Sequence, residues 1–198
     1  MGRLAVLISG RGSNLQALID AIELGNLDAE IVMVISDRPD ALGLIRAEKA
    51  GIPTKVLPWK GEEYRDDYFQ RISEIVCDAQ VDLLILAGFM RVLSANIVRQ
   101  FPHRIINIHP SLLPAFPGLR AQRQALEYGV KFAGCTVHFV DEGVDSGPIL
   151  VQKAVPVYPD DTEKTLGERI LIQEHIALPE AIQLVLAGTW EIRGRRII

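Results

Sequence analysis

The chain has 198 residues, 48% of them hydrophobic, with 25 acidic against 21 basic side chains and a formal net charge of −4. That length buries roughly 70% of the unfolded surface, enough for a single core, and the acidic balance argues against a general nucleic-acid binder, which needs a basic face. Two isolated cysteines, Cys77 and Cys135, argue against a disulfide framework and fit a reducing compartment. No run of about 18 apolar residues is expected to span a bilayer, and Met1 leads almost directly into strand-like sequence with no signal-peptide pattern. The expectation is one cytoplasmic α/β domain over residues 1–198, with no membrane partner.

The elements follow in chain order. Residues 3–9 (RLAVLIS) form a nearly unbroken apolar run, as a strand buried on both faces requires. Residues 14–25 place Leu15, Leu18, Ile19 and Ile22 at helical spacing and stop on Gly25. A second strand is expected over 30–36, a helix over 41–51 closed by Gly51, and a short third strand in TKVLP (54–58). Residues 62–80 read as one long amphipathic helix, 82–88 as a fourth strand and 104–109 as a fifth. Strands alternating with helices imply βαβ units and a parallel sheet. After residue 110 the rhythm changes to a proline-rich loop, a helix over 121–129, and two strands (134–140 and 148–157) joined only by a loop, which suggests antiparallel pairing. A helix from about 162 to 187 contains Pro179, a candidate kink, and residues 189–198 suggest a small hairpin around Gly194.

In open parallel sheets, ligands bind beyond the carboxyl ends of the strands. Three such ends carry polar clusters here: SGRGSN (9–14), AGFMR (87–91) and NIHPS (107–111). In the first, Gly10 and Gly12 permit a tight turn and close approach of backbone N–H groups, and Ser13 and Asn14 open a helix whose N-terminus favours an anion. A phosphate cradle fits, and so does an ordinary strand-to-helix turn. The dinucleotide fingerprint G-x-G-x-x-G fails at Leu15, although Asp37 after the second strand stands where an acidic ribose clamp would.

Asn107 and His109 are two apart at a strand end, so their side chains project to one side. An amide donor beside an imidazole suits acyl chemistry: one stabilises an oxyanion, the other does so or delivers a proton. Asp141, Glu142 and Asp145 in DEGVDSGP (141–148) offer a carboxylate to reach His109, raise its pKa and fix its tautomer, but spacing alone favours the blander reading of a solvated acidic turn. His138, alternating with apolar neighbours, reads as structural, and His103 as surface. No G-x-S-x-G and no metal-ligand spacing occurs, and both cysteines read as packed thiols.

Taken together, LISGRGSNLQALI, LAGFMRVLS, INIHPSLLPAFPGL, RQALEYG, GCTVHFVDEGVDSGPIL and QEH resemble the phosphoribosylglycinamide formyltransferase family, and the resemblance covers nearly the whole chain. It implies a Rossmann-like formyltransferase fold whose parallel N-terminal half continues into a mixed sheet. It implies transfer of the formyl group of 10-formyltetrahydrofolate to the amine of glycinamide ribonucleotide in purine synthesis, with folate as co-substrate and no metal. By the same resemblance Asn107, His109 and Asp145 are catalytic. Asn107 holds the formyl oxygen, imidazolium His109 stabilises negative charge and supplies a proton, and Asp145 raises the His109 pKa. Gly12, Ser13, Asn14 and Glu174 are implied to hold the ribonucleotide. Arg65, Met90, Arg91, Val92, Leu93 and Asn107, with the stretch Asp141, Glu142, Gly143, Val144 and Asp145, are implied to hold the folate.

One departure stands out: Arg120 occupies a position where many bacterial members carry histidine. Formyltetrahydrofolate hydrolases share the Asn-x-His and Asp logic but use water and usually carry a further N-terminal regulatory domain, not expected here. Methionyl-tRNA formyltransferases need a basic surface. A nicotinamide-dependent dehydrogenase is disfavoured by Leu15, and a silent nucleotide-binding module by the presence of all three catalytic groups. Small-molecule partners are expected, and a monomer or a homodimer fits equally.

Overall fold

The structure, a computed structural model, describes residues 1–198. The chain forms two compact units, Met1–Asn107 and Ile108–Ile198, and the division falls inside one strand.

The first unit is a parallel sheet of β1 (Gly2–Ile8), β2 (Ala29–Ser36), β3 (Thr54–Val56), β4 (Leu83–Leu86) and β5 (Ile105–His109) in the order β3-β2-β1-β4-β5. The apolar runs explain it: Leu4, Val6, Leu7 and Ile8 of β1 and Ile85 of β4 are completely buried, as strands covered by helices on both faces must be. The crossovers are α1 (Ser13–Glu23), α2 (Leu42–Lys49), α3 (Arg65–Asp78) and α4 (Ala95–Gln100). The longer ones turn an i, i+3, i+4 stripe inward, as Phe69, Ile72 and Val76 do on α3. Burying one such side chain fully stabilises by roughly 2 kcal/mol. The chain winds outward from β1 to β3 and returns through α3 to β4 on the other side of β1. The reversal lies between β1 and β4, the point at which open α/β sheets bind ligands.

The second unit begins with the proline-rich loop, which includes a cis Leu113–Pro114 bond, and continues through α5 (Ala121–Tyr128). Strands β6 (Phe132–Phe139) and β7 (Ile149–Pro156) pair antiparallel, with a register shift between Val137 and His138. The short β8 (Ile192–Arg193) and β9 (Arg196–Ile197) form the expected hairpin at Gly194, and β9 runs parallel to β7. The long α6 (Glu163–Ala187) packs on β6 and β7 through Leu166, Ile170, Ala177, Leu178, Ala181 and Ile182. Its N-terminus closes in a capping box between Thr162 and Thr165.

The parallel first half and mixed second half are therefore both present, with local differences. The single helix expected over 62–80 is a 3-10 turn at Glu62–Tyr64 followed by α3. α4 was not expected: six residues with only Ile97 and Val98 buried are too short for a periodic signal. Pro179 stands inside α6 without ending it; the backbone bond it removes is offset by buried Leu178, Ala181 and Ile182 around it. Contrary to the expectation from apolar runs, α6 is long and apolar enough to cross a membrane by composition alone (18-residue mean hydropathy 1.3). Its buried stripe against β6 and β7 is that of a core helix.

Candidate active site

The loop after β1 is held from two sides. Ser9 N–H donates to Gly88 O after β4 (3.1 Å), and Ser9 Oγ accepts from Met90 N–H (2.9 Å), which joins the two strand ends at the switch point. Gly12, the N-cap of α1, lies in the left-handed region at φ 67°, and a Cβ there would sit 2.5 Å from Gly43 Cα. Gly43 N–H donates to Gly10 O (3.0 Å), and Arg46 Nε donates to Arg11 O (3.0 Å). Glycine is thus required at 12 by both backbone angle and close approach. The first turn of α1 contains no acidic side chain. The N–H groups at Gly12, Ser13 and Asn14, which no intrahelical acceptor serves, are of the kind that favours an anion.

Beyond β4, Arg65 Nη2 donates to Leu93 O (2.5 Å), which brings together Arg65 and the 90–93 segment. Met90 and Val92 are exposed and Leu93 is buried. Arg91 Nε donates to Asp37 Oδ2 (2.7 Å). Asp37 is therefore engaged by a cation within its own unit, not offered to a ribose hydroxyl, and the nicotinamide reading loses its one supporting residue.

In the second unit, His109 closes β5, 5% exposed, two residues beyond the half-buried Asn107. Its Nδ1 lies 3.2 Å from Asp145 Oδ2 and its Nε2 2.9 Å from Phe116 O. Both nitrogens face oxygen acceptors, a setting that only the doubly protonated ring satisfies in full. Asp145 also accepts from Gly118 N–H (2.8 Å), and His138 Nε2 stands 3.7 Å from its Oδ1, in ion-pair range. Burial alone would raise the Asp145 carboxyl; attraction to His138, the Gly118 N–H and the nearby His109 outweigh it and hold the group below the usual carboxylate value. Asp145 is thus an anion at neutral pH, shared by two imidazoles.

Phe116, Arg120 and Asp145 are three of the five non-glycine residues at positive φ. They supply the carbonyl on His109, the N-cap of α5 and the carboxylate itself. Such backbone costs of order 1–3 kcal/mol per residue and persists where the surroundings over-determine it. Arg120, the departure from the family pattern, is the N-cap of α5 two residues beyond Gly118.

Of the remaining expected residues, Asp141 closes a turn by accepting from Gly143 N–H (3.1 Å) and Ser146 Oγ (2.6 Å), leaving Glu142 and Val144 outward. Arg195 Nη2 donates to Ser146 O, tying the C-terminal hairpin to that loop. Glu174 is 8% exposed on α6. Burial, then the Glu174 charge, pushes the Cys135 thiol up to about 12, so it is a packed thiol and no nucleophile. His138, read as structural from its alternation, is indeed a buried strand residue, 2% exposed; its approach to Asp145 Oδ1, just after a register shift in β6, is visible only in the structure. No group of three or more His, Cys, Asp or Glu side chains is arranged to hold a metal ion.

A buried imidazole between a carboxylate and a carbonyl, with no hydroxyl or thiol at its nitrogens to activate, suits charge stabilisation and proton handling while a group passes between two bound molecules. Such an arrangement fits the class of group-transfer enzymes. Comparison with known proteins gives the family: residues 2–182 match the formyl transferase family, and the chain belongs to it. It is 43% identical over 185 residues to phosphoribosylglycinamide formyltransferase of Escherichia coli, covering 93% of this chain and 87% of that one. It is 55% identical over 189 residues to the trifunctional purine biosynthetic protein adenosine-3 of Drosophila melanogaster, covering 94% of this chain but only 14% of that longer protein. The crystal structure of glycinamide ribonucleotide transformylase 1 from Symbiobacterium toebii superposes with a TM-score of 0.97 at 51% identity, covering 100% of this chain and 93% of that one.

Proposed function

We propose that the chain transfers the formyl group of 10-formyltetrahydrofolate to the amine of glycinamide ribonucleotide, giving formylglycinamide ribonucleotide and tetrahydrofolate in de novo purine synthesis. The relatives named for this reaction support the reading, and the buried His109–Asp145 pair, 3.2 Å apart, carries it. The amine is itself the nucleophile, so the protein's tasks are to position two substrates and to stabilise charge on the formyl oxygen. As the amine nitrogen bonds to the formyl carbon, the carbonyl electron pair moves to that oxygen. Asn107 donates an amide N–H to it, and the His109 imidazolium offers charge and a proton. Asp145 keeps the imidazolium paired throughout. The bond from the formyl carbon to the folate nitrogen then breaks, and that nitrogen takes a proton as the amine gives one up. Phe116 O holds the Nε2 proton of His109, so delivering it requires the ring to leave that carbonyl.

Gly12, Ser13 and Asn14 bind the phosphate of the ribonucleotide, and Glu174 its ribose or glycinamide portion. The residues fit a folate as co-substrate: Arg91 offers cationic donors beside the exposed apolar Met90 and Val92, with Arg65 on the same segment. Asp141, Glu142, Gly143 and Val144 frame the pterin beside Asp145. The free thiols of Cys77 and Cys135 fit the reducing cytoplasm. His109→Ala tests the reading: transfer should fall about 10²–10⁴-fold, the usual worth of a positioned acid, while glycinamide ribonucleotide still binds. Unchanged turnover would remove His109 from the chemistry.

A further inference from the structure

We infer that Asp37 and Trp59 are positioning residues for Arg91, and that through it they set the affinity for the folate co-substrate. The inference rests on the reading above that Arg91 touches that ligand. The Asp37 side chain is wholly buried, and a buried carboxylate is costly unless paired and hydrogen-bonded. Its Oδ2 takes the Arg91 Nε–H, while its Oδ1 is buried with no hydrogen-bond partner. Among the cations near it, Arg38 is committed to Asp40 through two hydrogen bonds, so Arg91 carries the compensation.

The second restraint is a ring. The Arg91 guanidinium lies 5.2 Å from the centroid of Trp59, a cation–π distance. The Trp59 ring is itself locked, edge-on to Tyr68 at 5.0 Å and tilted against Phe69 at 6.2 Å, and its backbone N–H reaches the Asp37 backbone carbonyl (3.4 Å). One edge of the guanidinium is thus pinned by a carboxylate and one face by an indole. The backbone beneath is fixed by the Met90 N–H bond to Ser9 Oγ at the sheet's switch point.

What remains of Arg91 is informative. Its Nε is used, its two Nη groups meet no protein acceptor, and its side chain is one-third exposed. A guanidinium held in that way presents a preset fork of donors to a planar acceptor and loses little freedom when it binds. Without Asp37 the same side chain is a mobile surface arginine that must be ordered by each ligand.

The experiment measures steady-state constants for both substrates in Asp37→Asn, Asp37→Leu, Trp59→Leu and Arg91→Met, and in the Asp37→Leu/Arg91→Met double variant. Asp37→Leu should raise the KM for 10-formyltetrahydrofolate about tenfold, the scale of ordering one long side chain, and leave the KM for glycinamide ribonucleotide within about twofold. Asp37→Asn keeps an acceptor for Nε and should fall between wild type and Leu. Trp59→Leu should move the folate KM in the same direction. Added to Arg91→Met, Asp37→Leu should cost nothing more. Equal rises for both substrates, or additivity in the double variant, would overturn the inference.

Arg91→Met alone leaves a buried carboxylate without its cation and is the variant least expected to fold. A second measurement therefore needs neither it nor any substrate. In a Trp190→Phe background Trp59 is the only indole, and Asp37→Leu should change its emission as the guanidinium leaves the ring. Unchanged emission overturns the inference. Absence of turnover in the wild-type protein would instead overturn the functional reading, with the emission result standing by itself.

Discussion

Asp145→Asn is the most instructive single change at the candidate site. Asparagine has the same shape and can still accept the Gly118 N–H (2.8 Å) and the His109 Nδ1–H (3.2 Å), so the variant removes charge and little else. A unit charge pair 3.2 Å apart is worth about 5 kcal/mol at an effective dielectric near 20 and about 1.3 kcal/mol in bulk water. With the carboxylate 12% exposed and the ring 6% exposed, an intermediate value of about 3 kcal/mol is reasonable, or roughly a hundredfold in rate. The turnover number should therefore fall about 10²-fold at neutral pH in a formyl-transfer assay with both substrates saturating, while the ribonucleotide binds as before. The pH profile adds a second mark. The Asp145 carboxyl is held below its ordinary value, so wild type keeps the carboxylate down to a pH below about 3.8 and loses it only beneath that; the variant has no such limb. Turnover within threefold of wild type, with an unchanged profile, would refute the assignment of charge stabilisation to Asp145.

Three further outcomes follow from the packing. Gly12→Ala places a Cβ 2.5 Å from the backbone of Gly43 at a φ of +67°, a strain of order 1–3 kcal/mol; calorimetric titration should show ribonucleotide affinity down about tenfold or more, and unchanged affinity would mean the loop does not hold that ligand. Asp161 binds both Nη groups of Arg169 (2.7 and 2.8 Å) and accepts from Tyr158 N–H and Thr165 Oγ1, and the Arg169 hydrogen bonds lead in pulling its carboxyl well below the usual range. A depressed folded pKa stabilises above the unfolded value and is lost as pH falls. The gap in melting temperature between wild type and Asp161→Asn should accordingly be full at neutral pH and shrink below about pH 4, and a pH-independent gap would contradict the pairing. Ile170→Ala, at a fully buried site on α6, should cost about 2–5 kcal/mol in denaturant unfolding; under 1 kcal/mol would mean α6 is not part of the core.

Much of the fold was readable because its elements are long and strongly patterned. The buried strands β1, β2 and β4 announce themselves as apolar runs, and α1 and α3 as stripes of Leu, Ile and Phe ending near a glycine or a polar turn. α4 escaped because six residues cannot display a period, and the break at Glu62–Tyr64 because a 3-10 turn shares the composition of the helix it precedes. At the candidate site, Asn107 and His109 stood out from their spacing at a strand end, and Asp145 from the resemblance. His138, flanked by Val137 and Phe139, has the pattern of a core residue and is buried as one, while its 3.7 Å approach to Asp145 is visible only in the structure. Asp37 was read in the right place but with the wrong partner: sequence position puts an acid after β2, and only the structure puts Arg91 against it. The backbone at Phe116 and Arg120 left no trace in composition, since neither is a residue type that positive φ favours, whereas Asp145 is of a type enriched there.

The central claim is that this chain moves a formyl group from a folate to an amine on a phosphorylated acceptor. The most direct measurement follows deformylation of 10-formyltetrahydrofolate by absorbance with purified protein, with and without glycinamide ribonucleotide, and identifies the product. The account predicts deformylation only when the ribonucleotide is present, with one formylglycinamide ribonucleotide formed per tetrahydrofolate released. Equal deformylation in its absence, with free formate as product, would contradict it and make the protein a hydrolase.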